Sequence, residues 1–112
     1  MKHDIQLFLM VLLCSVVPAL AQDQQVQRAL AGTCFTCHGT DGHSVGGVPP
    51  GLAGLSKSDL LQQMRDFKAG KRPATIMHQI AKGYTDEQLD LIAGYFASVK
   101  PGLPAPVPRA GY

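Results

Sequence analysis

Cys34, Cys37 and His38 crowd into the stretch GTCFTCHGTDGHS, residues 32–44, and their types and order limit what they can do. On a helical turn, side chains three and four apart share a face. Two sulfurs in this register reach one edge of a flat group, and the adjoining imidazole points at its centre. A disulfide between Cys34 and Cys37 would close a very small loop and constrain the unfolded chain little. A thioredoxin-like redox pair wants a strand-helix-strand setting, and no strand pattern is visible. Structural zinc needs four ligands, and beyond the motif and the leader the chain offers only His43, His78 and carboxylates. Cys-x-x-Cys-His is, by contrast, the attachment signature of a c-type haem. Cys34 and Cys37 would form the thioethers and His38 would ligate the iron. With one such motif in the sequence, one covalent haem c is expected.

A second axial ligand must come from elsewhere. Met64 lies in an apolar helical stripe with Leu60 and Phe67, which reads as packing. Met77 stands past Pro73 on a segment without a regular pattern, where the chain can cross the far side of a haem. Met77 is therefore the favoured ligand, giving the methionine–histidine pair that raises a reduction potential. His78 is the rival, and because neighbours on a helical turn diverge by about 100°, only one of the two can face the iron. His43 is too near His38 in sequence to reach the opposite face. Lys68, Lys71, Arg72 and Lys82 surround this segment, either as an ordinary solvated face or as a rim that steers a redox partner.

The elements that must position these groups read as all-α. From Gln24, Val26, Leu30, Thr33 or Cys34, and Cys37 recur at helical spacing, so a first helix runs into the motif. The adjoining GTDGHSVGGVPPGLAGL is a loop dense in Gly and Pro. Ser56 with Asp59 marks a helix start, and the stripe Leu60, Met64, Phe67 ends before Gly70. A short helix ends near Gly83. Thr85 with Gln88 forms a capping box for the last helix, whose buried stripe is Leu89, Ile92, Phe96 and Val99 before Pro101.

Residues 1–21 read as a cleavable export signal: Lys2, an apolar run, then Ala19-Leu20-Ala21. Cleavage before Gln22 removes Cys14, leaves no membrane span and places the domain, residues 22–100, in the periplasm. Residues 101–112 form a proline-rich tail. The formal charge of +2 is too mild for a nucleic-acid partner. Trp is absent and loops are long, so something besides side chains is expected to fill the interior. No paired acid and base is evident, so the chain reads as an electron carrier and not as an enzyme.

The segments CFTCHGTDGHSVGG, PGLAGL and FKAGKRPATIMHQIAKGYTDEQLDLIAGYFA together resemble a class I cytochrome c. Within that class they are most similar to the haem subunit of flavocytochrome c sulfide dehydrogenase, over nearly all of residues 29–98. The resemblance implies a small helical fold around one haem, with Cys34 and Cys37 as thioethers and His38 and Met77 as axial ligands. It further implies that the Pro50 carbonyl accepts a hydrogen bond from the His38 ring, and that Gly32 packs closely against Tyr95 or Phe96. The implied donor is an FAD-containing flavoprotein subunit that oxidises sulfide, and the implied acceptor a soluble protein such as another c-type cytochrome. Better-known haem subunits of this kind carry two haem domains in tandem, whereas this sequence holds one motif. A free-standing shuttle similar to cytochromes of the c4 and c5 kind is the alternative.

Overall fold

The computed structural model describes residues 17–102, with residue 6 besides. The expected export signal lies almost wholly outside the described residues, as does the tail beyond residue 102. Along residues 17–102 four helices succeed one another in order: α1 (Val17–His38), α2 (Lys57–Lys68), α3 (Met77–Lys82) and α4 (Asp86–Ser98), with a 3-10 turn at Thr40–Gly42. Among the described residues there is no strand, and no helix is long and apolar enough to cross a membrane.

Helix α1 already includes Val17, upstream of the Gln24 from which its apolar spacing is read, and no Gly or Pro interrupts residues 19–31. It therefore runs across the expected cleavage point. The starts of α2 and α4 agree with their caps. The Ser56 hydroxyl accepts the Asp59 backbone N–H at the head of α2. At α4, Thr85 and Gln88 complete a reciprocal capping box, which satisfies two amide donors that the helix itself cannot.

Helix α1 packs against α4, while α2 packs against both α3 and α4. Ala31, Leu60, Ile92, Ala93 and Phe96 form the buried cluster, and Leu30, Cys34 and Phe35 lean on it. Small side chains at Ala31 and Ala93 let the helices approach, and Phe35, Tyr95 and Phe96 fill the space beside them. Phe35 meets Phe96 edge-on at 6.1 Å, and Tyr95 meets Phe96 in the same way at 5.4 Å.

The close approach is not made by Gly32, for a Cβ added there would meet nothing within 4 Å. Ala31, fully buried, makes it instead. The reason is helical phase: Ala31 shares the face of Cys34 and Phe35, and Gly32 is turned away from it by about 100°. Leu89, Ile92 and Phe96 are buried as the stripe predicts, whereas Val99 is the C-cap of α4 and only half-buried.

Candidate haem-binding site

The last turns of α1 carry the motif. Cys34 is half-buried against the core cluster, Cys37 is exposed, and both are free thiols. Burial pushes the Cys34 thiol above its ordinary value; the neighbouring Cys37 adds to this and a contact with the Thr33 hydroxyl opposes it. A thiol raised in this way is the opposite of the activated thiolate that redox cysteines require. Among the described residues no third Cys, His, Asp or Glu joins a cluster able to hold a metal ion. The donor set therefore suits two thioether tethers better than zinc or disulfide exchange.

His38 ends α1, and the turn after it fixes its ring. Gly39 leaves the helix at φ 84°, Asp41 at φ 53°, and Gly42 at φ 82°, so the chain turns back sharply. The Gly42 carbonyl then accepts the amides of Leu52 at 2.9 Å and Ala53 at 3.2 Å, closing the intervening loop on itself. The Ser44 hydroxyl donates to the Pro49 carbonyl inside it. This closure sets the Pro50 carbonyl 2.7 Å from His38 Nδ1. A carbonyl only accepts, so Nδ1 carries the proton and Nε2 keeps its lone pair for a metal. The site thus fits a haem on two counts, the tether geometry and the histidine tautomer. When bound, haem c supplies an iron that exchanges single electrons.

The loop is pinned from outside by a cluster that local patterns do not reveal. Tyr95 of α4 donates its hydroxyl to Asp41 Oδ1 at 2.5 Å, and Arg28 of α1 reaches the same oxygen at 3.2 Å. Arg28 also lies 5.6 Å over the Phe35 ring. The Tyr95 bond is the main cause that holds the Asp41 carboxyl below its ordinary value, with Arg28 assisting. Burial pushes the Tyr95 phenol up, and the bonded carboxylate adds to that.

Met77 arrives on different supports. It is the first residue of α3, half-buried, and α3 packs on α2. The segment expected to be irregular thus becomes helical at Met77 itself. One polar bridge ties the end of α3 back to the motif: Thr33 and Tyr84 hydroxyls meet at 2.5 Å. Because Thr33 donates to the Leu30 carbonyl at 3.1 Å, Tyr84 is the donor to Thr33. Met64 is half-buried and outside the buried cluster.

His78 has its Nε2 engaged in this arrangement. Its Nε2 is 2.6 Å from the Arg72 carbonyl and its ring stands edge-on to Phe67. His43 is exposed and lies against Gly102, where a Cβ would strike its ring. Of the four basic residues, Lys68 is committed to the Tyr84 carbonyl at 2.8 Å and to Asp86 at 3.2 Å. The Arg72 guanidinium covers the Phe67 ring at 5.1 Å. Lys71 and Lys82 are exposed.

Comparison with known proteins agrees with this geometry. The cytochrome c family pattern matches residues 24–100. The chain is 44% identical over 70 residues to the cytochrome subunit of sulfide dehydrogenase from Chlorobaculum tepidum, covering 62% of this chain and 63% of that protein. It is 42% identical over 80 residues to cytochrome c4 of Pseudomonas aeruginosa, covering 71% of this chain and 40% of that one. With cytochrome c-554(548) of Halomonas halodenitrificans the identity is 37% over 70 residues, 60% of this chain and 84% of the relative. The chain thus spans less than two thirds of the length of the first two relatives. A matched pattern across most of the sequence, on a helical fold that presents a thiol pair and an oriented imidazole, places this chain in the cytochrome c family of haem-bearing electron carriers.

Proposed function

We propose that this chain is a periplasmic single-haem cytochrome c in which Cys34 and Cys37 tether the haem and His38 and Met77 are its axial ligands. The observation that carries the reading is the His38 Nδ1 bond to Pro50, which leaves Nε2 as the only ring nitrogen able to bind iron. Cys34 sits on the core cluster and Cys37 towards solvent, so the tethered edge would lie partly open to another redox centre. Pro50 orients the imidazole, the Tyr95–Asp41–Arg28 cluster holds the loop that carries Pro50, and α3 supplies the thioether. Membership of the cytochrome c family supports electron carriage as the role of these groups.

We further propose that the electron donor is the FAD-containing subunit of a sulfide dehydrogenase, with a soluble acceptor such as another c-type cytochrome. Its support is the 44% identity to a cytochrome subunit of sulfide dehydrogenase. The alternative is a free shuttle, favoured by the comparable 42% identity to cytochrome c4 over more of this chain.

Acid-acetone extraction of the purified protein tests the attachment: the colour stays with the wild-type polypeptide, and Cys34→Ala or Cys37→Ala loses normal attachment. Haem extracted freely from the wild type would refute the reading. Met77→Ala opens the reduced iron to carbon monoxide, which the wild type excludes. Co-expression with a candidate flavoprotein decides the donor, since a subunit forms a stoichiometric complex in which sulfide reduces the haem rapidly. A protein that purifies alone and exchanges electrons equally with unrelated carriers is the shuttle.

A further inference from the structure

Helix α3 is too short to hold itself. It has six residues, and its N-cap, Ile76, offers no side-chain bond to the first-turn amides. A helix of this length is unstable alone, and the lost cap withholds a further share of stability. Met77 is its first residue, so the place of the Met77 sulfur depends on whatever fixes this uncapped end.

From the structure we infer that His78 is that device: a positioning residue that staples the segment 72–77 closed and so holds Met77 where a ligand must stand. This inference rests on the reading of Met77 as an axial ligand. The connection from α2 begins tethered, for the amides of Lys71 and Arg72 both donate to the Asp66 carbonyl, at 2.8 and 3.3 Å. From there Pro73, Ala74 and Thr75 take no part in the backbone hydrogen bonds around them, and Ile76, its side chain 59% exposed, is tied only forward, its carbonyl accepting the Gln79 and Ile80 amides. His78 reaches back across this span and donates Nε2–H to the Arg72 carbonyl at 2.6 Å. A carbonyl cannot donate, so this bond sets the ring's tautomer. The ring is held on its other side by Phe67 at 6.2 Å, and Phe67 is itself covered by the Arg72 guanidinium at 5.1 Å. Phe67, Arg72 and His78 thus form one stack that joins the end of α2 to the start of α3.

The test uses the holoprotein and three variants. His78→Phe keeps the ring against Phe67 and removes the donor; His78→Gln keeps a donor and removes the ring; Met77→Ala checks the parent reading. Exogenous imidazole binding to the ferric iron reports how firmly Met77 is held. Losing one hydrogen bond in the staple is expected to tighten imidazole binding roughly tenfold in His78→Phe, with haem attachment unchanged and partial recovery in His78→Gln. The ligand-methyl resonance of Met77 in the reduced protein broadens in step. Wild-type imidazole affinity and an unmoved methyl resonance in His78→Phe would overturn the inference while Met77→Ala still opens the iron. If Met77→Ala changes neither signal, the ligand reading fails and the inference with it. Should His78→Phe not fold, ring-nitrogen NMR of the wild type decides: the inference expects His78 to be protonated at Nε2, with that proton slow to exchange, and a ring protonated at Nδ1 alone overturns it.

Discussion

Gly42→Ala separates two costs that glycine avoids here, and both can be worked out in advance. The residue has φ 82°, and a Cβ there would lie 2.8 Å from the Ala53 backbone nitrogen and 2.8 Å from a ring carbon of Phe96. The left-handed conformation costs an alanine about 1–2 kcal/mol. Forcing a methyl into a packed site adds about 1–3 kcal/mol. Phe96 cannot yield easily, being 1% exposed and wedged between Phe35 and Tyr95. Gly46 supplies the control, because it has the same φ of 82° and open space around its missing Cβ. The two variants share the backbone strain and the entropy gained by stiffening the unfolded chain, so their difference isolates the steric part. Urea unfolding of the two holoproteins will place Gly42→Ala about 1 M below Gly46→Ala, taking about 1–3 kcal/mol per M as the slope. Since the Gly42 carbonyl holds Leu52 and Ala53, the same change will loosen Pro50 and speed exchange of the His38 Nδ1 proton. Equal midpoints for the two variants would refute the claim that close approach to Phe96 requires glycine at position 42.

Other perturbations address the remaining contacts. Tyr95→Phe removes the principal cause of the depressed Asp41 carboxyl; a depressed folded value contributes stability above the unfolded value of about 3.9 and loses it as pH falls further, so the variant will show a flatter loss of stability below about pH 4. A curve parallel to the wild type in denaturant titrations across that range would count against it. Thr85→Ala removes the hydroxyl that accepts the Gln88 amide, while its own backbone N–H still reaches Gln88, and will lower stability by about 0.5–2 kcal/mol, measured by thermal or urea melting. Breaking the Lys57–Asp90 pair, 2.8 Å apart but with both side chains 48% exposed, will change stability by less than about 1 kcal/mol, and high salt will erase the difference.

What the sequence makes legible is bounded by how far apart in the chain the partners lie. The caps at Ser56 and Thr85 join residues three apart, and the haem signature is nearly as local, so pattern alone predicts them. Helical stripes likewise predict Leu60, Leu89, Ile92 and Phe96 as buried. Gly32 is a different matter, since a family likeness points to a close approach without resolving helical phase, and one position decides which of two neighbours makes it. The Tyr95–Asp41 bond spans 54 residues and Thr33–Tyr84 spans 51, and no local period encodes such pairs.

His78 shows why this distinction governs function as well as fold. Its chemistry, read alone, makes it a rival to Met77, because an imidazole beside a thioether is a good iron ligand in its own right. Its partner, the Arg72 carbonyl, is a backbone group and therefore leaves no mark on residue type. The same holds at His38, whose tautomer is set by the Pro50 carbonyl and whose register depends on the positive φ of Gly39 and Gly42. Two histidines of one chain thus take opposite parts for one physical reason. Where a carbonyl engages Nδ1 at the end of α1, Nε2 is left for a metal; where a carbonyl engages Nε2 beside Met77, the lone pair stays on Nδ1 and the engaged side of the ring becomes a brace. Backbone placement, and not the residue alone, decides which nitrogen of each imidazole is engaged and which keeps its lone pair.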